Sequence, residues 1–273
     1  MKIKSIISKF KPKKSVSDNI SYPNFCLEAS KNKNVFETFR SHIIYKNILE
    51  HVEGKLALEY FSLIKSKYKL TNNEIYSRVK ILNSIGSPEL IKIDEAIPEL
   101  SATGLRYLYT GLEIKAFLDQ NNLSSSKIVE LGCGYGGQSL ILNDLIRIES
   151  YTYIDLPQVN PLIKQFLNNF EFSFNTNFET INTINTSNSN RIDLFISNYS
   201  FSELPGSLQK KVLKKIIRNS KAGYMIINSD NFSKEYEFMK KDEYRTISNT
   251  YNIYDENPQS SSKKVNFVFE YIN

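Results

Sequence analysis

Ile128-Val129-Glu130-Leu131-Gly132-Cys133-Gly134-Tyr135-Gly136-Gly137 is the stretch on which the reading of this 273-residue chain turns. Residues 128–131 are apolar apart from Glu130 and read as a buried strand with an acid near its end. Four of the next six residues are glycine, which removes side chains where a ligand must lie against the backbone. Residues 138–147 return to a helical apolar period, so a helix N-terminus directs its N–H groups at the same point. Strand, glycine turn and helix together read as a cofactor cradle.

Two cofactor templates fit the spacing. Gly132, Gly134 and Gly137 satisfy the dinucleotide pattern Gly-x-Gly-x-x-Gly. Gly132, Gly134 and Gly136, with Glu130 ahead of them, resemble the first motif of the class I S-adenosylmethionine-dependent methyltransferases. A carboxylate at 130 repels a pyrophosphate, whereas the methionine end of S-adenosyl-L-methionine carries an ammonium group that an acid suits. A second acid follows. Residues 151–155, Tyr-Thr-Tyr-Ile-Asp, alternate and end at Asp155, nineteen positions after Gly136. A carboxylate at the tip of a second strand can accept both hydroxyls of a ribose. Both cofactor classes use that device, so Asp155 points to an adenosine-type ligand without choosing between them. Leu156 is placed to lie against the adenine, and Pro157 suits the first position of a helix.

Outward from this core, strands are expected near 127–131, 151–155, 170–174, 192–198 and 223–229. Helices are expected near 137–147, 158–169, 205–219 and 233–241. That alternation implies a parallel sheet covered on both faces. Residues 244–254 and 265–272 lack a strong helix between them and read as a closing antiparallel pair, as in the Rossmann-like sheet of class I methyltransferases. Residues 24–100 read as helical, with one helix over 45–67 and another opened by the capping box Thr71–Glu74. Ser101 caps a further helix over 102–120. The expected organisation is a basic tail (1–23), a helical region (24–100) and a cofactor-binding domain (101–273).

Composition bounds the rest. Hydrophobic residues at 41% and charged residues at 23% are those of a globular protein, and no apolar run approaches membrane-span length. Cys26 and Cys133 give no disulfide framework, and the only histidines are His42 and His51, so zinc spacing is absent and no metal is expected. The net charge of +6 is carried by six lysines within residues 1–14; the remainder holds 29 basic and 29 acidic residues. A neutral body leaves no nucleic-acid footprint. The tail reads as a disordered solubilising segment or as a short amphipathic contact with an anionic membrane. A cytoplasmic location follows, with the inner membrane face as the site of any such contact.

Ligands in parallel sheets bind beyond the carboxyl ends of the strands, so residues 198–205 after the fourth strand belong to the site. The segment Asn198-Tyr199-Ser200-Phe201-Ser202-Glu203 lacks the prolines of the Asn/Asp-Pro-Pro-aromatic motif of amino-directed nucleic-acid methyltransferases. Together with residues 102–107, 130–137 and 154–157, it resembles a family of sugar O-methyltransferases encoded in bacterial surface-polysaccharide clusters. The resemblance covers roughly residues 100–230 and departs from the family pattern at Gly104. It implies a sugar, nucleotide-sugar or glycan hydroxyl as acceptor, in capsule or lipopolysaccharide synthesis, and leaves a homodimer open.

A sugar hydroxyl is a poor nucleophile near neutral pH, so a base helps. Glu203 is the first candidate; it reads equally as an acid before a helix. Tyr199 orients the acceptor or simply packs. Asn198 bonds the amino-acid portion of the cofactor or caps the turn. Arg106 and Tyr107 sit on the helix before the first strand, which in this fold can cover the cofactor, so both are candidate cofactor contacts. The resemblance implies that Arg106 pairs with the methionine carboxylate. His42 and His51 read as surface histidines, with a base role left to either if the helical region covers the site. Three other readings stay open: a nucleic-acid methyltransferase, a non-catalytic cofactor-binding partner of a glycan enzyme, and a nicotinamide oxidoreductase.

Overall fold

The computed structural model describes residues 21–123, 125–184, 192–229, 239–261 and 263–273. Residues 1–20 of the basic tail and most of the helix expected over 233–241 lie outside the described residues; residues 21–23, expected in the tail, instead open a helix over Ser21–Ala29 in which Tyr22 and Pro23 are buried.

Seven strands form one sheet: β3 (Lys127–Leu131), β4 (Ser150–Ile154), β5 (Asn175–Glu179), β6 (Ile192–Asn198), β7 (Ser220–Ile227), β8 (Thr250–Asp255) and β9 (Phe267–Ile272). Their spatial order is β5-β4-β3-β6-β7-β9-β8. The first five run parallel, and β9 inserts antiparallel between β7 and β8. This is the mostly parallel Rossmann-like sheet with an antiparallel C-terminal strand expected from the sequence. Its order reverses between β3 and β6, which opens a crevice at their carboxyl ends. β6 is buried over its first six residues, as a central parallel strand should be, and the buried Asp193 within it pairs with Lys221.

Helices α6 (Ala102–Gln120), α7 (Gly137–Leu145), α8 (Asn160–Leu167), α9 (Ser200–Glu203), α10 (Gly206–Lys215) and α11 (Lys241–Tyr244) accompany the sheet. α6 starts where Ser101 Oγ accepts from the Gly104 N–H at 3.1 Å, as its sequence requires. Ahead of it come α1 (Ser21–Ala29), α2 (Lys33–Thr38), α3 (Ile43–Lys46), α4 (Gly54–Tyr68), α5 (Asn72–Asn83) and a ladder of β1 (Leu90–Ile91) with β2 (Leu100–Ser101). α4 and α5 pack on α6, and α1 packs on α8. One apolar cluster runs from Tyr22 and Phe25 through Leu105 and Leu108 to Tyr151 and Val268, so the helical region and the sheet share a core.

Four sequence expectations are corrected. The helix over 45–67 is broken: α3 stops at Lys46 and α4 starts at Gly54. The Leu49 carbonyl accepts from Arg106 Nη2 at 3.2 Å and from Thr103 Oγ1 at 3.4 Å, tertiary bonds that replace a helical one. The third strand lies at Asn175–Glu179 and not at 170–174. Phe170, Phe172 and Phe174 instead stack among themselves and on α8 and β4, while a polar edge strand, which needs only one buried face, makes the ladder. Pro157 lies in a turn over residues 157–159, and α8 begins at Asn160. The expected helix over 205–219 divides into α10 and a 3-10 turn, Ile217–Asn219. Among the described residues, no helix is long and apolar enough to cross a membrane.

Candidate active site

A cleft of about 560 Å³ lies over the carboxyl ends of β3, β4, β6 and β7. Its floor is the glycine turn. Gly132 and Gly134 have φ of +76° and +59°, a left-handed backbone that side chains disfavour. A Cβ on Gly132 would sit 2.2 Å from Ser200, and one on Gly134 would sit 3.1 Å from a Leu49 methyl. Both glycines line the cleft. Gly136, also left-handed, opens α7 and packs toward Ile163 of α8, away from the cavity.

Asp155 follows β4 and lines the cleft beside the turn. Its Oδ2 accepts from the Cys133 N–H at 2.7 Å and its Oδ1 from the Leu156 N–H at 2.8 Å. These bonds lock the turn and still leave carboxylate lone pairs for a ligand's hydroxyls. Burial pushes the Asp155 pKa up to about 6, against the opposing pull of the Leu156, Cys133 and Gly134 N–H groups. Leu156 itself packs against the core and does not line the cavity.

Glu130 takes a different place from the one its motif implies. Its side chain is buried within the fold, where the Tyr151 hydroxyl donates to it at 2.8 Å, and it is absent from the cavity wall. Strand alternation explains this: Glu130 is on β3 proper, two residues before the turn begins. Burial, with a smaller contribution from Asp155, pushes its pKa up to about 8. Tyr107 is likewise off the cavity wall. Its ring meets Tyr135 edge-on at 5.6 Å, and its hydroxyl lies 3.3 Å from a Cβ built on Gly134, so it supports the turn.

The segment after β6 lines the cleft through Asn198, Tyr199, Ser200 and Glu203. Asn198 Oδ1 is buried without a hydrogen-bond partner, on a residue that lines the cleft. Tyr199 has φ +69°, a strained conformation for an aromatic residue, at the turn from β6 into α9. Its N–H donates to the Ile226 carbonyl at 2.7 Å, and its hydroxyl donates to Glu256. Burial, then Tyr60 and Glu256, raise its pKa well above the ordinary phenol value, so Tyr199 stays a neutral donor. The Arg106 guanidinium stands 5.6 Å from the Tyr199 ring centroid and lines the same wall. Glu203 ends α9 ahead of α10, and the Asn228 side chain reaches its Oε1 at 3.4 Å.

The non-helical segment between α3 and α4 closes the cleft from above with Ile48, Leu49 and His51. Arg40, fully buried, ties that segment down: it pairs with Glu50 at 2.5 Å, bonds Ser101 Oγ at 3.1 Å and lies 4.4 Å over the Tyr135 ring. His51 faces the cavity, and partial desolvation followed by the Arg106 charge lowers its pKa. His42 stacks on Phe25 at 4.2 Å and caps α3, away from this cleft. Tyr22, Asn228, Ser260, Ser261, Lys263 and Asn266 complete the wall. Asn228 follows the carboxyl end of β7, so the strand-end rule applied to the fifth strand locates it. Ser260 and Asn266 lie in the β8–β9 connection and carry no sequence signal. Among the described residues, no group of three or more His, Cys, Asp or Glu is placed to hold a metal ion.

No protein-family model matches the chain, and no curated protein matches it in sequence. Solved structures similar to it include an S-adenosylmethionine-dependent methyltransferase from Clostridium acetobutylicum ATCC 824, with 13% identity, TM-score 0.47, and coverage of 59% of this chain and 89% of that one. The N-methyltransferase NodS from Bradyrhizobium japonicum WM9 has 11% identity and TM-score 0.46, covering 62% of this chain and 97% of that one. Magnesium protoporphyrin IX methyltransferase from Synechocystis PCC 6803, with bound SAH, has 10% identity and TM-score 0.45, covering 78% and 97%. At these levels the functional reading is carried by the cleft itself.

Proposed function

We propose that the chain is an S-adenosylmethionine-dependent O-methyltransferase that acts on a hydroxyl of a sugar or sugar-derived group in bacterial surface-polysaccharide synthesis. The observation that carries the cofactor reading is the conjunction of a side-chain-free turn at Gly132 and Gly134 with the Asp155 carboxylate and the orphaned Asn198 Oδ1 on one cleft. These groups fit an adenosine ligand with a donor-bearing tail. Asp155 would accept the ribose hydroxyls, the glycine turn would lie along the ligand, and Asn198 and Arg106 would meet its amino and carboxylate groups. When bound, S-adenosylmethionine supplies an electrophilic methyl group on a sulfonium. Leu49 and Ile48 cover the turn, excluding water from that region.

The sugar reading is supported by the other end of the cleft. Glu203, Asn228, Ser260 and Asn266 offer a carboxylate, two amides and a hydroxyl, a set suited to a polyhydroxyl acceptor and poorly suited to an apolar one. Either Glu203 or His51 accepts the proton of the acceptor hydroxyl; both line the cavity. Tyr199, committed to Glu256, orients and does not take the proton. Incubation with isotope-labelled S-adenosylmethionine and a panel of nucleotide-linked sugars and glycan fragments, read by mass spectrometry, tests this. Label on a sugar oxygen is the expected result. Label only on amines or nucleobases contradicts it.

A further inference from the structure

A second cavity, of about 170 Å³, lies behind the active-site wall between α4, α6 and the β7–β9 face of the sheet. Tyr60, Tyr109, Tyr224 and Tyr254 line it, with Glu113 and Glu256. Tyr60 and Tyr109 form a corner, their rings tilted 44° with centroids 5.5 Å apart. The surroundings are negative. Glu113, Glu256 and the adjoining Glu270 are all buried, and Lys67 is the one cation on the wall among the described residues. Lys67 is spent on Glu113 at 2.6 Å, and neither Glu256 nor Glu270 forms an ion pair among the described residues. Buried carboxylates without a counter-charge are costly.

The carboxylates are nevertheless well supplied with neutral donors. Glu256 accepts from the Tyr199 hydroxyl and from the Ser260 N–H and Oγ. Glu270 accepts from Tyr254 at 2.8 Å and Asn252 at 3.3 Å, and Glu113 from Tyr68. A ligand there is therefore selected for charge, and needs few N–H donors of its own. Tyrosine rings attract such a cation and give its methyl groups apolar contact.

We infer that the tyrosine-walled cavity bounded by Glu113 and Glu256 is a binding site for a small methylated ammonium ion. Glu256 is common to this cavity and, through the hydrogen bond it accepts from Tyr199, to the active-site wall. The inference does not depend on which cofactor the cleft holds. The test is calorimetric titration of the full chain with choline and with its neutral isostere 3,3-dimethylbutan-1-ol. Choline is expected to bind at least tenfold more tightly, and Tyr109→Leu and Glu256→Gln are each expected to weaken it at least tenfold. A wild-type crystal soaked with a bromine-bearing trialkylammonium ion should show its anomalous peak among the four tyrosines, a result that holds even where a variant folds poorly. Equal affinity for the neutral isostere, no binding of choline, a peak elsewhere, or unchanged choline affinity in folded variants would overturn the inference.

Discussion

Asp155 does two jobs with one carboxylate: it fixes the glycine turn through the Cys133 and Leu156 N–H groups and presents its remaining lone pairs to the cleft. Asp155→Ala should weaken S-adenosylhomocysteine binding by about 10²-fold, the loss expected for a charged acceptor of two hydroxyls, as calorimetry would measure. Glu130 has a structural consequence instead. Its pKa of about 8 stands far above the ordinary glutamate value near 4.3, so its contribution to stability is complete below about pH 4 and is lost as pH rises through about 8. Glu130→Gln should remove that loss, with a stability gain over wild type that grows from pH 5 to pH 9 to on the order of a few kcal/mol. Urea denaturation across that range measures it. For the proton acceptor, Glu203→Gln and His51→Gln should each leave cofactor affinity intact; the true base is the one whose loss slows turnover by about 10²-fold. If that base is His51, the wild-type rate rises with pH through a pKa below 6.5, because desolvation and Arg106 favour its neutral form. The acid at 155 and the segment after β6 were legible because the strand-end rule places them. Glu130 was misplaced because a motif gives a position along a strand and not the face on which a side chain emerges.

At the scale of elements, the decisive piece is the break between α3 and α4. Its residues carry a helical apolar period, so the sequence reads as one continuous helix over 45–67. Arg40 and Arg106, distant in the chain, pull the Glu50 side chain and the Leu49 carbonyl out of that helix and lay Leu49 and His51 over the glycine turn. Long-range pairing of this kind leaves no local signature, so the sequence does not show that His51, exposed as expected, also lines the cleft. Arg40→Met should leave Glu50 buried and unpaired and cost about 3–5 kcal/mol in chemical denaturation. Arg40→Met with Glu50→Gln should recover much of that loss. The long helix α6, by contrast, was legible to the residue, since the capping Ser101 just before it and the apolar positions Leu105, Leu108, Leu112 and Phe117 are local signals.

For the whole molecule, the parallel sheet followed from the alternation of elements and its antiparallel end from the lack of a strong helix between residues 244–254 and 265–272, while the spatial order of the strands carried no sequence signal; the division at residue 100 describes the chain and not its energetics. The helices before α6 contribute to the same core as the sheet, with Tyr60, Ile64, Ile75 and Val79 buried against it. A fragment beginning at residue 101 should therefore lack a cooperative thermal transition and expose apolar surface to a hydrophobic dye. A sharp melt for that fragment would show that the two parts fold separately. The edge strand β5 was the least legible part of the sheet. Its polar residues pair through the backbone, and the aromatic run beside it carries the apolar signal instead.

The central claim is that the cleft beside Gly134 and Asp155 holds the adenosine of a sulfonium cofactor. Calorimetric titration of the full chain with S-adenosylhomocysteine and, separately, with NAD tests it most directly. The account predicts saturable binding of S-adenosylhomocysteine that is abolished or severely weakened by Asp155→Ala, and little affinity for NAD. Equal or tighter binding of NAD, or S-adenosylhomocysteine binding indifferent to the loss of Asp155, would contradict it.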